Sequence, residues 1–306
     1  MSVTDLAGIF AHARPGRPGE TARRLAGAGW PVFPCVPGGK RPLTRHGFRD
    51  ATTSQEHISQ WWGRWPQANI GLPTGQISGF EVVDIDVRPA GDGHPAFQTA
   101  AGRLDTGGWV CQVVTPSGGT HFYYPTFPGQ PQPSWAGGTA RVDFRGDGGY
   151  IIVPPSTIDV PGRGPVAYRL AATRPAARPV DAGRLRSLLD PAWARRPSPP
   201  TFAAGQVLTG RGVSRIAGWV AARREGERNQ GLFWAACRLA EAGHDYGTVW
   251  SALAPAGEAA GLLEREIRVT LASAFRHTQP ATNLTPGTVS YMSSPAGGLV
   301  CEAAVL

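Results

Sequence analysis

Glu81-Val82-Val83-Asp84-Ile85-Asp86-Val87 reads as a buried strand that carries two carboxylates. Successive strand side chains point to opposite faces, so Asp84 and Asp86 project together, their Cα atoms roughly 6.7 Å apart. Desolvating two unpaired acids on an apolar strand is costly, and a shared divalent cation relieves that cost. The pair therefore points first to metal-dependent phosphoryl chemistry. Asp-x-Asp pairs also occur in calcium loops, in glycosyltransferases and on solvated edge strands, so the flanking sequence has to decide.

Upstream, the sequence predicts a short helix over Glu20–Ala28, a strand over Pro31–Cys35 and a glycine-rich loop, Pro37-Gly38-Gly39-Lys40-Arg41-Pro42. Ser54 is a good N-cap for a helix to about Trp65, with Ile58, Trp61, Trp62 and Trp65 on its apolar side. That tryptophan cluster could stack on bases, although such spacing more often builds core. Strands follow at Asn69–Leu72 and Gly79–Val87, a helix near Pro95–Arg103, then strands at Trp109–Val114 and Thr120–Tyr124. Ala140–Phe144 and Tyr150–Val153 are expected to pair around the turn Gly146-Asp147-Gly148-Gly149. Helices and strands mix without strict alternation, so the fold class is α+β, with a mixed, mostly antiparallel sheet.

Residues 1–172 are expected to form this domain. Residues 173–202, rich in Pro, Arg and Ala, read as a linker with one helical candidate at Ala182–Leu189. A small helical domain is expected over 203–280, with helices opened by Asn229 and placed at Tyr246–Leu253 and Glu258–Phe275. Residues 281–306 lack periodicity and read as a tail.

The formal net charge of the 306-residue chain is +8, and Lys40 is its one lysine. Residues 1–50 and 151–200 each sum to +5, whereas 51–150, which hold the acidic strand, sum to −3. An acidic centre between basic flanks suits a site that holds cations while its rim meets a polyanion. Four cysteines without a C-x-x-C pair argue against a zinc ribbon and a disulfide scaffold. No apolar run is long enough to cross a membrane and no signal peptide is visible, so the expected setting is the cytoplasm, with no membrane partner.

Two further segments add chemistry. In Thr115-Pro116-Ser117-Gly118-Gly119-Thr120-His121, a Ser-Gly-Gly turn leads into a strand carrying a histidine. Gly118 and Gly119 can let backbone N–H groups approach an anion, while Ser117 and His121 add side-chain donors. The plainer reading is a hairpin beside a core histidine. Val142-Asp143-Phe144-Arg145-Gly146 sets a third carboxylate on a strand, with Arg145 on the same face. Lys40, the lone compact ammonium in an arginine-rich chain, and Arg145 are candidate phosphate contacts.

The order of Asp-x-Asp, Ser-Gly-Gly-Thr-His and Val-Asp-Phe-Arg-Gly, followed by Gly149-Tyr150-Ile151-Ile152-Val153-Pro154-Pro155-Ser156, resembles the bifunctional DNA primase/polymerase domain of the archaeo-eukaryotic primase superfamily. Trp30-Pro31-Val32-Phe33-Pro34 and Trp65-Pro66-Gln67-Ala68-Asn69-Ile70-Gly71 extend the likeness to residues 20–170. The resemblance implies an RRM-like, primase-type catalytic domain. It implies that Asp84, Asp86 and Asp143 bind two divalent ions, Mg²⁺ or Mn²⁺, and that Ser117 and His121 contact the incoming nucleoside triphosphate. The expected function is template-directed nucleotide addition on single-stranded DNA in a phage, plasmid or mobile-element replication system. No G-x-x-x-x-G-K-[ST] occurs, so any helicase would be a separate partner. A primer-dependent repair polymerase and a non-catalytic DNA-binding accessory protein are the alternatives. A nicking initiator would need a paired H-x-H, which His121 lacks.

Overall fold

In the computed structural model the described residues are 3–175, 177–191, 200, 208–224 and 227–278. The expected tail at 281–306, Cys301 and part of the expected linker lie outside them. The chain divides into two compact units between Pro197 and Ser198.

Among the described residues the first unit has the helices α1 (Val3–Ala11), α2 (Pro18–Gly27), α3 (Gln55–Arg64), α4 (His94–Ala101) and α5 (Ala182–Leu189). Its strands are β1 (Phe33–Cys35), β2 (Asn69–Pro73), β3 (Phe80–Ile85), β4 (Val87–Arg88), β5 (Gly91–Asp92), β6 (Cys111–Val114), β7 (Thr120–Pro125), β8 (Val142–Arg145), β9 (Tyr150–Val153), β10 (Thr157–Val160), β11 (Gly164–Ala167) and β12 (Arg169–Thr173). Five of these form a sheet in the order β12-β6-β7-β3-β8, and three form a second in the order β1-β2-β9. Every pairing in both is antiparallel. The path β3-α4-β6-β7-β8, laid out spatially as β6-β7-β3-β8, is the split β-α-β arrangement of RRM-like folds. A loop with one 3-10 turn at Gly138–Ala140 takes the place of the second helix of that motif.

Alternation along β3 separates two cores. Val83 and Ile85 pack with Tyr124, Phe144 and Phe97 of α4 on one face. Phe80 and Val82 pack with Tyr123, the β1-β2-β9 sheet and helices α1–α3 on the other. Asp84 belongs to this second face, and so opens between the two sheets. Ser54 caps α3 as its sequence predicts, accepting from the His57 N–H. Trp62 is buried and donates from Nε1 to the Ala68 carbonyl, while Trp61 and Trp65 pack on the same core. The tryptophans are structural.

Three expectations about the secondary structure of the first unit need correction. Strands β8 and β9 do not pair. β8 lies beside β3 and β9 beside β2, so the turn at 146–149 hands the chain from one sheet to the other. The hand-over is fixed by Thr74, whose Oγ1 donates to the Gly146 carbonyl and whose N–H donates to the Gly149 carbonyl. Strand β3 stops at Ile85, and Val87–Arg88 turns into a small hairpin with Gly91–Asp92. The segment from 173, read as linker from its Pro, Arg and Ala content, is packed through α5. Val180, Ala182 and Leu185 are buried beneath the five-stranded sheet, because a polar composition still leaves one apolar helix face.

The second unit contains α6 (Gly210–Ala221), α7 (Arg228–Glu241), α8 (Tyr246–Ala259) and α9 (Glu264–Thr278) around its own core of Ile216, Val220, Leu232, Leu253, Ile267 and Leu271. Asn229 does not cap α7. It lies inside the first turn, and its side-chain oxygen accepts from Thr270 Oγ1 at 3.2 Å.

Candidate active site

Register puts three side chains in one row. Asp84 on β3 is the cross-strand partner of His121 on β7 and of Asp143 on β8. Directly opposed residues on one face come within side-chain reach, so motifs far apart in sequence converge without any loop having to carry them. His121 Nε2 lies 3.3 Å from Asp84 Oδ1. Arg145, two residues along β8 and on the same face, reaches Asp143 Oδ2 at 2.7 Å and Asp84 Oδ2 at 3.5 Å. Asp143 Oδ1 also accepts from the Gly137 N–H at 2.9 Å.

The two opposed acids are held differently. Burial alone would raise the Asp84 carboxyl, but the charge and hydrogen bond of His121, with Arg145 and Lys40 nearby, outweigh it and hold the group well below the usual range. Burial raises Asp143, and the neighbouring charges of Asp84 and Asp86 add to that. Arg145 and the Gly137 N–H offset only part.

Asp86 stands at the mouth. Its backbone N–H continues the ladder to the Arg141 carbonyl, and its carboxylate is ion-paired to Arg88. It lines a cavity of 640 Å³ together with Asp84, Ser117, His121, Arg163 and Tyr168. The two acids of the Asp-x-Asp strand do open on one space. A second cavity of 260 Å³ shares Lys40, Asp84, His121 and Tyr168 with the first and adds Arg145 and Tyr150.

Lys40 is fixed from below. Asn69, buried at the start of β2, donates from Nδ2 to the carbonyls of Gly39 and Thr157 and accepts at Oδ1 from the Thr157 N–H. Tyr150 Oη donates to the Lys40 carbonyl. The lysine loop is thereby tied to both β2 and the β10–β11 hairpin. Tyr168 is a site residue that sequence reasoning misses. Its ring lies 5.6 Å from that of His121 and is fully buried beneath it. It stands alone in an arginine-rich stretch, and only the hairpin's return brings it under β7.

The Ser-Gly-Gly turn differs from its expected role. Gly118 spends its N–H on the Thr115 carbonyl, and neither glycine lines the cavity. Ser117 does, with Thr115 Oγ1 at 3.2 Å from its hydroxyl. Gly119 is required for a different reason: a Cβ there would lie 2.1 Å from the Ile85 carbonyl oxygen. Gly119→Ala is expected to push β7 from β3 and cost about 1–3 kcal/mol as overpacking does. Thermal unfolding beside that of the parent checks it, and an unchanged midpoint would refute it.

A divalent cation fits the donor chemistry. Asp84 and Asp143 offer hard carboxylate oxygens from neighbouring strands, and Arg145 between them shows that positive charge is accommodated at that spot. The acids are not drawn into one closed cluster. Among the described residues no three His, Cys, Asp or Glu side chains gather tightly enough to hold a metal ion, with Asp86 turned to Arg88.

Among described residues no helix is long and apolar enough to cross a membrane. No curated protein matches the chain. Among solved structures, the primase RepB′ is 16% identical and aligns over 84% of this chain and 94% of its own, with a TM-score of 0.34. The family model described as "Bifunctional DNA primase/polymerase, N-terminal" matches residues 22–181, a span that contains the whole His121–Asp84–Asp143 row with Lys40 and Tyr168. The chain belongs to the bifunctional DNA primase/polymerase family.

Proposed function

We propose that the protein is a template-directed nucleotidyltransferase, a DNA primase/polymerase that extends chains on single-stranded DNA from nucleoside triphosphates. One observation carries this reading: His121, Asp84 and Asp143 form a row across three adjoining strands, and the cavities lined by His121 and Asp84 also take the chain's one lysine. Asp84 and Asp143, joined by Asp86 once it turns from Arg88, would hold two divalent ions, Mg²⁺ or Mn²⁺. Such ions, when bound, offset the charge of the carboxylates and the triphosphate and stabilise the attacking 3′-oxygen and the leaving pyrophosphate.

The protein's own part is placement. The larger cavity has room for a nucleotide and is lined by Ser117, His121 and Arg163. Lys40 and Arg145 bring positive charge to a polyanion near the buried acids. Tyr168 supports the His121 ring from below and limits its movement. The helical unit would serve template binding or docking of a separate helicase, in a phage, plasmid or mobile-element replication system.

Labelled-nucleotide incorporation on unprimed single-stranded DNA, with Mg²⁺ or Mn²⁺ and products sized on a gel, tests the reading. Products that disappear in Asp84→Ala are the expected result. Extension only from an annealed primer would move the assignment to a primer-dependent polymerase. Silence on both templates, with DNA binding intact, would leave an accessory DNA-binding protein.

A further inference from the structure

Beside the smaller of the two site cavities lies a third hollow of 360 Å³, and the two share Phe48, Gly148 and Gly149. Its outer wall carries Ile77, which is 57% exposed and is the one exposed large apolar side chain among the described residues of the first unit. Ile77 is not loosely held. Its turn is closed by the N–H groups of Ser78 and Gly79 on the Gly75 carbonyl, with Gly75 at φ +88°. The flanks are braced as well. Trp30 Nε1 donates to the Ser78 carbonyl, the Gln76 N–H donates to Asp147 Oδ1, and Gln76 Nε2 donates to the Phe127 carbonyl. A braced turn that holds an isoleucine in solvent beside a catalytic cleft gains nothing in folding from that exposure.

The other lining residues narrow the occupant. Phe48 stacks on Tyr150 with ring centroids 5.8 Å apart, offering an aromatic surface where the two hollows meet. Gly148 and Gly149 leave part of the floor without side chains, beside Asp147, whose Oδ1 accepts from the Gln76 N–H. Arg49 lines the third hollow and is exposed, and the adjoining site cavity is lined by Lys40 and by Arg145, the latter ion-paired to Asp143 and Asp84. Cations in both hollows of this strip, with an aromatic ring between them and Asp147 tied up by the Gln76 N–H, match an unpaired nucleic-acid strand, which presents phosphates along one edge and stackable bases along the other.

We propose that this strip is the track along which the single-stranded template reaches Asp84, with Phe48 and Ile77 against its bases and Arg49 on its backbone. The proposal rests on the polymerase reading and names the surface that reading leaves open. It places the template on the Tyr150 side of the acids and leaves the 640 Å³ cavity on the Ser117 side to the nucleotide.

Fluorescence anisotropy with a labelled oligothymidylate, on the full chain, tests it. Ile77→Ser is expected to weaken binding about fivefold to tenfold, the loss of one apolar contact to a base. Because Ile77 is exposed, that variant should melt like the parent. Arg49→Gln is expected to reduce the slope of log affinity against log salt by about 0.7, one phosphate contact on a single strand. Phe48→Ala should weaken binding further. Parental affinity and slope in both surface variants, with nucleotide incorporation intact, would overturn the track alone and leave Ile77 as a protein-docking residue. Absence of both oligonucleotide binding and incorporation in the parent would overturn the polymerase reading with it.

Discussion

Asp84→Asn is expected to lower nucleotide incorporation by at least about a thousandfold, on the order of 4 kcal/mol in the barrier, while the protein stays folded. Asparagine keeps the size of the side chain and can still accept from His121 through its amide oxygen. The opposed carboxylate and its Arg145 partner are untouched. What disappears is the negative charge that His121, Arg145 and Lys40 together hold ionised despite its burial. Asp143→Asn should give a comparable loss, because it removes the other half of the same cross-strand pair. Single-turnover extension of a primed template, with melting curves for all three proteins, checks both. Activity within tenfold of the parent in Asp84→Asn would sink the assignment of this row as the catalytic centre.

Glu81→Gln is expected to stabilise the first unit by a few kcal/mol at pH 8 and to make little difference at pH 4. Glu81 lies on the opposite face of β3 from Asp84 and is fully buried. Its Oε2 accepts from Gln132 Nε2 at 2.7 Å, and its Oε1 has no partner. Burial pushes its carboxyl up to about 8; the Gln132 hydrogen bond opposes this, and the nearby Asp147 charge adds to it. The folded value lies above the ordinary one of 4.5, so the folded state binds the extra proton. Its contribution is therefore fully present below pH 4.5 and is lost as pH rises toward 8. Glutamine cannot ionise, so the variant should show a flatter stability profile across that window. Chemical denaturation of both proteins at pH 4, 6 and 8 measures it, and parallel profiles would refute it. Gln132 also contacts the Val180 carbonyl and the Ala182 N–H, so α5 should loosen with the same pH dependence in the parent.

Much of the site was legible because its chemistry is carried by short strands. Alternation put Asp84 and Asp86 on one face, and likewise Asp143 and Arg145, and both pairs behave so in the fold. Lys40, singled out as the lone lysine, lines both candidate cavities. Where reading failed, local pattern competed with long-range packing. The Gly146–Gly149 turn looked like a hairpin because hairpins are the commonest use of such turns, yet Thr74, just past the end of β2, holds both ends of it and sends each arm to a different sheet. The glycines of the Ser117–His121 turn looked like an anion cradle, and the approach of the Ile85 carbonyl gives Gly119 another purpose.

By itself the sequence determined the α+β class, the strands that bear the acids and the family of the chain, because these follow from period-two alternation and from residue types within a few positions of each other. Only the tertiary structure decided that His121, Asp84 and Asp143 are cross-strand neighbours, that Tyr168 lies under His121, and that Phe48 and Ile77 border one groove. Those relations depend on register between strands tens of residues apart. Register is set by which faces bury together over the whole sheet, a property of the folded chain that no short stretch of it carries.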